Sequence, residues 1–253
     1  MEISKSEYSK LLCFEIPEGM HNTDKIFIKD GKLFKIFSEN SFIEEKERNI
    51  AFLMNTKIPC TPLIYDKLYS NGEFVGYIME YIPNALTFRQ ALSEDIPHDL
   101  KIAAIRDIYV ALKYFHSENI YLGDVHSDNM LLTESGKGYI IDLEEVRFPG
   151  DEYKFKQCYL ISPNNNSNRI NVPSQYTDNV KVMISSLSLL LGKDLEKYIS
   201  KQKHDINLEQ LFNEVIMPLN DSYLNEYFYK LMNGESVPYF SDYYLPELNK
   251  IKK

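Results

Sequence analysis

Residues 120–146 read IYLGDVHSDNMLLTESGKGYIIDLEEV, a polar loop followed by two short apolar segments. Asp124 and Asn129 lie in the loop, before the apolar run MLL. A Ser-Gly turn then separates this run from a second one, GYIID, which ends at Asp142. The stretch therefore predicts a loop and a β-hairpin, with polar side chains placed where the strands end.

Asp124, Asn129 and Asp142 are the residue types that phosphoryl transfer needs. A carboxylate must orient the attacking hydroxyl, and an Asn and an Asp must hold Mg²⁺ on the phosphates. Because Mg²⁺ prefers oxygen ligands and keeps several waters, one carboxylate and one amide suffice beside the nucleotide oxygens. Taken alone, the D-x-x-x-x-N spacing also arises by chance, and Asp142 also fits a strand cap.

Upstream, residues 25–37 (KIFIKDGKLFKIF) carry apolar segments on both sides of Asp30-Gly31, which predicts a two-stranded hairpin. The period of two in the second strand places Lys35 on the same face as Leu33 and Phe37. Lys35 would then face a ligand on the buried side of a sheet. The alternative is an edge-strand lysine whose ammonium reaches water.

Residues 41–56 (SFIEEKERNIAFLMNT) predict an amphipathic helix with acidic residues near its N-terminus. Glu47 lies on this helix, where it is either a functional carboxylate or part of a solvated acidic surface. The chain after the helix predicts further antiparallel strands, which end near Ile82-Pro83. Residues 98–116 then have the apolar stripe of a long core helix.

The order of these elements resembles that of the protein-kinase superfamily. D-x-x-x-x-N, a strand, a turn and a second strand ending I-I-D resemble its catalytic and metal-binding loops. KLFKIF (residues 32–37) resembles its third strand, and VGYIMEY (residues 75–81) resembles its hinge strand. The resemblance covers most of the chain and implies an α+β, bilobal protein-kinase-like fold. A small antiparallel-sheet lobe with one main helix would precede a larger, mainly helical lobe.

The resemblance also implies a role for each matching residue. Lys35 would bind ATP and would be paired with Glu47 of the helix. Asp124 would be the catalytic carboxylate, and Asn129 and Asp142 would hold Mg²⁺. The implied cofactors are ATP and Mg²⁺.

The hinge and the lobes follow from the same comparison. Met79 would be the gatekeeper, and the backbone of Glu80 and Ile82 would hydrogen-bond the adenine ring. Residues 1–82 would form the N-lobe, and residues 83–253 would form the C-lobe, together making one catalytic domain. In the C-lobe, the resemblance implies that Asp178 anchors the catalytic loop and that His116 is structural. It also places the end of an activation segment around Pro163.

The catalytic loop departs from the protein-kinase pattern. Leu122-Gly123 replaces the usual His-Arg, so we expect no dependence on phosphorylation of an activation loop. His126 stands where the aminoglycoside-phosphotransferase branch carries a His, and it would either contact the γ-phosphate or simply pack in the loop.

Two further departures concern glycines. Asp142-Leu143-Glu144 replaces Asp-Phe-Gly and resembles choline-kinase-like enzymes. Only Gly19 precedes the first hairpin, where the family has a glycine-rich loop. Residues 55–68 resemble the sheet connection of aminoglycoside and RIO-type kinases, so the chain is similar to atypical, bacterial-type members.

Three functions stay open at this point. The first is an atypical protein serine/threonine kinase, which would act on an unknown protein. The second is a small-molecule hydroxyl kinase of the aminoglycoside or choline kinase type. The third is a pseudokinase that serves as a binding or regulatory module.

Composition and charge limit the classes of binding partner and the cellular compartment that we expect. The chain has 253 residues and a net charge of −9, and it has no basic cluster, which disfavours nucleic-acid binding. We expect no membrane insertion, since no apolar run approaches the roughly 20 residues of a membrane span. Three scattered cysteines and the lack of a signal-peptide pattern favour a cytoplasmic protein.

Overall fold

A computed structural model describes residues 1–4, 25–37, 42–150, 173–200 and 205–247. The positions of Gly19 and Pro163 lie outside these residues. The first large element is a four-stranded antiparallel sheet with the strand order β1-β2-β4-β3. Its strands are β1 (Lys25–Lys29), β2 (Lys32–Ile36), β3 (Ile64–Ser70) and β4 (Glu73–Glu80).

Two tight turns set the register of this sheet. Asp30 and Gly31 have φ angles of 52° and 71°, and Lys29 lies opposite Lys32. Asn71 and Gly72 repeat this geometry between β3 and β4, with φ angles of 54° and 78°. Positive φ at both central residues matches the right-handed twist of paired strands. The hairpin expected at Asp30-Gly31 is therefore confirmed.

The alternation along β2 gives the sheet two different buried faces. Ile36 belongs to a small cluster with Ile3, Leu68, Val75 and Ile78. Lys35 points to the opposite face, where only 2% of its surface is exposed. An edge lysine that reaches water would be far more exposed, so that alternative for Lys35 is wrong.

The helix expected after the first hairpin is α1 (Ile43–Asn55), which packs against the sheet. Its buried residues are Lys46, Asn49, Ile50 and Leu53, on one stripe of the helix. Further helices are α2 (His98–Ser117), α3 (Gln175–Leu191), α4 (Leu208–Leu211), α5 (Ser222–Met232) and α6 (Phe240–Tyr243). The long core helix expected at residues 98–116 is thus present.

Short strands from both sides of α2 in the sequence form a second, smaller sheet. β5 (Leu86–Thr87), β6 (Met130–Leu132) and β7 (Gly138–Ile140) form a three-stranded antiparallel sheet. β8 (Ile199–Ser200) and β9 (Asp205–Ile206) form a separate pair. The fold is a small antiparallel sheet followed mainly by helices, as predicted, and the division at residue 82 stays a prediction. Within the described ranges, no helix is long and apolar enough to cross a bilayer.

Close packing of β7 on α2 requires a glycine. A Cβ added to Gly138 would lie 2.2 Å from the carbonyl oxygen of Ala104, a backbone atom that cannot rotate away. The backbones of the hairpin and the helix therefore meet at Gly138 without a side chain between them. This contact holds the hairpin that carries Asn129 and Asp142 against the core helix.

We expect Gly138→Ala to lower the free energy of unfolding by about 2 kcal/mol, because the new methyl group forces β7 away from α2. Urea denaturation measures the change. Gly72→Asn is the control, since Gly72 has open space around it and a positive φ that asparagine tolerates. An unchanged unfolding midpoint for Gly138→Ala would show that the hairpin does not depend on this close approach.

Candidate active site

The hairpin β6–β7 brings Asn129 and Asp142 to the same end of the ladder. Met130 pairs with Ile140, and one step further the Ile141 amide donates to the Asn129 carbonyl at 3.0 Å. Asp142 follows directly, in the left-handed region with φ 58° and ψ 51°. Two residues 13 positions apart in sequence are therefore neighbours at the open end of one hairpin.

Asn129 also fixes Asp124. The Asn129 side-chain amide donates to the Asp124 backbone carbonyl at 3.1 Å and to its carboxylate Oδ2 at 3.3 Å. With the nitrogen used in this way, the amide oxygen of Asn129 accepts no hydrogen bond among the described residues. The other carboxylate oxygen of Asp124, Oδ1, is buried and has no partner in the described part of the chain. Both oxygens can therefore accept a ligand.

The loop before Asp124 is anchored by α3. The buried Asp178 carboxylate accepts from the Leu122 amide at 2.7 Å and lies 3.1 Å from His116 Nε2. One turn further along α3, the buried Lys181 ammonium donates to the Gly123 carbonyl at 2.8 Å. The predicted anchoring role of Asp178 is confirmed. Lys181 was not predicted from the sequence, because nothing in the surrounding apolar helix indicates a contact with this loop.

Lys35 reaches from β2 to the segment after the hairpin. Its ammonium lies 2.5 Å from Glu144 Oε1 and 3.1 Å from Asp142 Oδ1. Tyr77, opposite Lys35 on β4, donates from its hydroxyl to Glu144 Oε2 at 3.1 Å. The expected partner of Lys35, Glu47, is not at this position. Glu144 takes that place, at the site where the sequence has Asp-Leu-Glu instead of Asp-Phe-Gly.

The predicted pairing of Lys35 with Glu47 is wrong. Glu47 accepts from the Lys67 ammonium at 2.6 Å and from the Tyr69 hydroxyl at 2.5 Å, both on β3. Residues of an α-helix are about 100° apart around the axis, so Glu47 points away from the buried stripe of Lys46 and Asn49. The hydrogen bonds from Lys67 and Tyr69 lower the pKa of Glu47.

His126 lies between two carboxylates. Its Nε2 is 3.5 Å from Asp124 Oδ2, and its Nδ1 is 3.5 Å from Asp128 Oδ2. Burial opposes protonation of the ring, but the two carboxylates outweigh burial and raise the pKa of His126 to about 10. The raised pKa favours the imidazolium form of His126, in contact with Asp124, whereas the Asp128 amide, 3.3 Å from Nδ1, favours a neutral Nδ1 that accepts.

A second set of charges braces the other side of this loop. Arg89 contacts the carboxylates of Asp128, Asp194 and Glu196. Glu196 also accepts from the amide and the hydroxyl of Ser127, both at 2.6 Å. The loop is thereby tied to the segments that follow β5 and α3. Neither Arg89 nor Glu196 stood out in the sequence, since each lies far from the loop along the chain.

Burial and neighbouring charges shift the pKa values of Asp142, Glu144 and Glu145 in different directions. Burial, reinforced by the neighbouring charge of Glu144, raises the pKa of Asp142 despite the opposing effect of Lys35. For Glu144, burial is outweighed by Lys35, which lowers its pKa. Burial and the charges of Asp124 and Glu144 raise the pKa of Glu145 to about 7. Asp142 thus carries a carboxylate whose ionised form a nearby cation would stabilise.

The side-chain oxygens of Asn129 and Asp142 are of the type that could serve as two ligands of a Mg²⁺ ion. The unused amide oxygen and the destabilised carboxylate are oxygen donors of the type that Mg²⁺ prefers. Within the described residues, no group of three or more His, Cys, Asp and Glu side chains could hold a metal ion by itself. A metal ion held by these two oxygen donors would need further ligands from outside the described residues.

The expected hinge lies at the end of β4. Met79 is buried on the same face as Tyr77 and pairs with Leu33 of β2. The Glu80 amide already donates to the Leu63 carbonyl at 2.8 Å, so it is not available to an adenine ring. The amide of the half-buried Ile82 makes no hydrogen bond to the described residues. Of these two residues, only Ile82 has a backbone amide without a hydrogen bond to the described residues.

Comparison with models of known protein families finds no match for this chain. Comparison with curated proteins likewise finds no relative. The chemistry of the site is therefore inferred from its own side chains.

We expect an NMR titration of the imidazole signals to give a pKa of about 10 for His126. Asp128→Asn removes one of the two carboxylates and should move this pKa toward the ordinary value of about 6.5. Since the pKa is raised in the folded state, the stabilisation from protonated His126 is complete below about pH 6.5 and is lost as the pH rises through about 10. His126→Gln assigns the signal. A pKa near 6.5 for His126 in the native protein would contradict the expected effect of the two neighbouring carboxylates.

Proposed function

We propose that this chain is a phosphotransferase of the protein-kinase-like superfamily, which transfers the γ-phosphoryl group of Mg²⁺-ATP to a hydroxyl. One observation carries the proposal. Asp142 lies beside Asn129 at the end of one hairpin and is ion-paired with Lys35 of the sheet, while Asn129 holds Asp124. This arrangement supports the proposal, because it brings together the residue types that would bind the phosphates, hold the metal and act as the base.

In the proposed arrangement the sheet and α1 form a small lobe within residues 1–82, and residues 83–253 form a mainly helical lobe. The nucleotide would lie between Lys35 and the hairpin, with the Ile82 amide toward the adenine ring. Lys35, oriented by Glu144, would bind the α- and β-phosphates. Asn129 and Asp142 would hold Mg²⁺, which neutralises charge on the phosphates during transfer.

Asp124 is the proposed base for the acceptor hydroxyl. Its Oδ2 is engaged by Asn129 and faces His126, which leaves the buried Oδ1 to accept the proton. The neighbouring cations His126 and Lys181 outweigh burial and lower the pKa of Asp124, so the carboxylate is ionised and ready to accept a hydrogen bond. His126 would also place a positive charge near the transferring phosphoryl group.

A protein serine or threonine is the first candidate for the acceptor. The anchoring of the catalytic loop by Asp178 supports it, because small-molecule kinases usually lack an anchor of this kind. A small-molecule hydroxyl is the second candidate. The contact of His126 with Asp124 and the pairing of Glu144 with Lys35 favour it, since both residues resemble the small-molecule branch.

Incubation of the purified chain with γ-labelled Mg²⁺-ATP, alone and with a generic protein substrate, tests the proposal. Label on protein supports the first acceptor class, and hydrolysis without protein labelling supports the second. Nucleotide binding without any turnover would leave a pseudokinase. Absence of nucleotide binding would overturn the proposal altogether.

We expect Asp124→Asn to lower the rate of transfer by about 10³-fold, since the amide cannot accept the proton.

Asp142→Asn should abolish Mg²⁺-dependent turnover while the fold is kept, as judged by circular dichroism. Asp242→Asn is the matched control, because Asp242 is in an exposed ion pair with Lys113. Full activity of Asp142→Asn would remove the metal assignment.

Glu144→Gln should weaken nucleotide binding about tenfold, since it removes the charged partner of Lys35. Glu47→Gln makes the same chemical change at the carboxylate that contacts β3. We expect it to change the affinity for the nucleotide less than twofold. Titration calorimetry with a non-hydrolysable ATP analogue compares the two variants. A larger loss for Glu47→Gln would restore the pairing that the sequence suggested.

A further inference from the structure

One face of α1 runs along the segment that follows Asp142. Lys46 Nζ lies 3.7 Å from Glu145 Oε1, and the Phe52 ring meets the Phe148 ring edge-on with centroids 4.9 Å apart. Asn49 lies between them on the helix, at the spacing of three residues that places side chains on one face. The helix and residues 144–148 are therefore in contact over two turns.

Asn49 makes the central contact of this face. Its side chain is fully buried, and its amide nitrogen donates to the Glu144 carbonyl at 2.8 Å and to the Val146 carbonyl at 2.9 Å. Its amide oxygen accepts from Arg48 Nη2 at 3.2 Å. The two carbonyls can only accept, so the amide nitrogen must face them and both of its protons are used.

Glu144 is thus held at both ends. Its backbone carbonyl is fixed by Asn49 of α1, and its carboxylate is fixed by Lys35 and Tyr77 of the sheet. A shift of α1 would pull on the backbone of Glu144 and so on the partner of Lys35. Glu47, on the same helix, accepts instead from Lys67 and Tyr69 of β3.

We propose that Asn49 is a positioning residue, which couples the placement of α1 to Lys35 through Glu144 and so makes the site depend on where this helix sits. The pairing with Lys35 that was expected of a glutamate on the helix is replaced by two contacts. Glu144 supplies the negative charge for Lys35, and Asn49 supplies the mechanical link to the helix. The consequence for nucleotide binding rests on the proposed function, whereas the link itself does not.

The reactivity of Lys35 toward an amine-acylating reagent tests the link without a nucleotide. Asn49→Leu keeps the size of the side chain but removes both donors, so Glu144 should loosen and acylation of Lys35 should rise about five- to tenfold. Mass spectrometry measures the label, with the exposed Lys32 on the same strand as the internal reference. Asn55→Leu is the matched control, since Asn55 is an exposed asparagine of the same helix that bonds only within it.

A double-mutant cycle separates positioning from general stability. Asn49→Leu should weaken binding of a non-hydrolysable ATP analogue about tenfold in the native background, but less than twofold in the Glu144→Gln background. A merely structural role would give the same loss in both. If Asn49→Leu fails to fold cooperatively, Asn49→Ser, which retains one donor, replaces it in both measurements.

Each outcome decides the inference. Raised labelling of Lys35 together with the coupled loss of affinity supports it. Unchanged labelling, or equal losses of affinity in both backgrounds, would overturn it. If the native chain binds no nucleotide, the proposed function fails, and the labelling experiment alone then decides whether Asn49 positions Glu144.

Discussion

The burial of the Lys35 ammonium is the constraint on which the rest of the site depends. A charged group that is 2% exposed costs several kcal/mol unless oppositely charged and hydrogen-bonding partners surround it. Glu144 and Asp142 supply these partners, and both come from the segment after the hairpin β6–β7. The burial of Lys35 therefore depends on the docking of this segment against the sheet.

The same segment is held from three directions. The hairpin before it packs on α2 through Gly138, where the backbones touch. Asn49 of α1 binds its carbonyls, and Lys35 and Tyr77 bind its carboxylate. α3 holds the neighbouring loop through Asp178 and Lys181. Asp124, Asn129, Asp142 and Lys35 are thus each held by hydrogen bonds or ion pairs, and a reaction that relies on positioning needs such contacts.

Much of this arrangement could be predicted from local patterns. Asp30-Gly31 marked the first hairpin, the alternation along β2 placed Lys35 on one face with Leu33 and Phe37, and the Ser-Gly turn placed Asn129 near Asp142. Each of these inferences depends on spacing within about 25 residues, where strand and turn geometry leaves few alternatives. The partner of Lys35 could not be predicted in this way, since acidic residues occur both on α1 and after Asp142.

The sequence by itself determined the first hairpin, the helices α1 and α2 and the polar residues at the ends of the hairpin β6–β7, because these depend on short-range backbone geometry. Only the tertiary structure decided that Glu144 rather than Glu47 meets Lys35, and that Asn49, Lys181 and Glu196 brace the site. The rotation of α1 about its axis relative to the sheet decides whether Glu47 can meet Lys35. This rotation is fixed by the packing of distant elements, and a rotation of about 100° exchanges one side chain for the next.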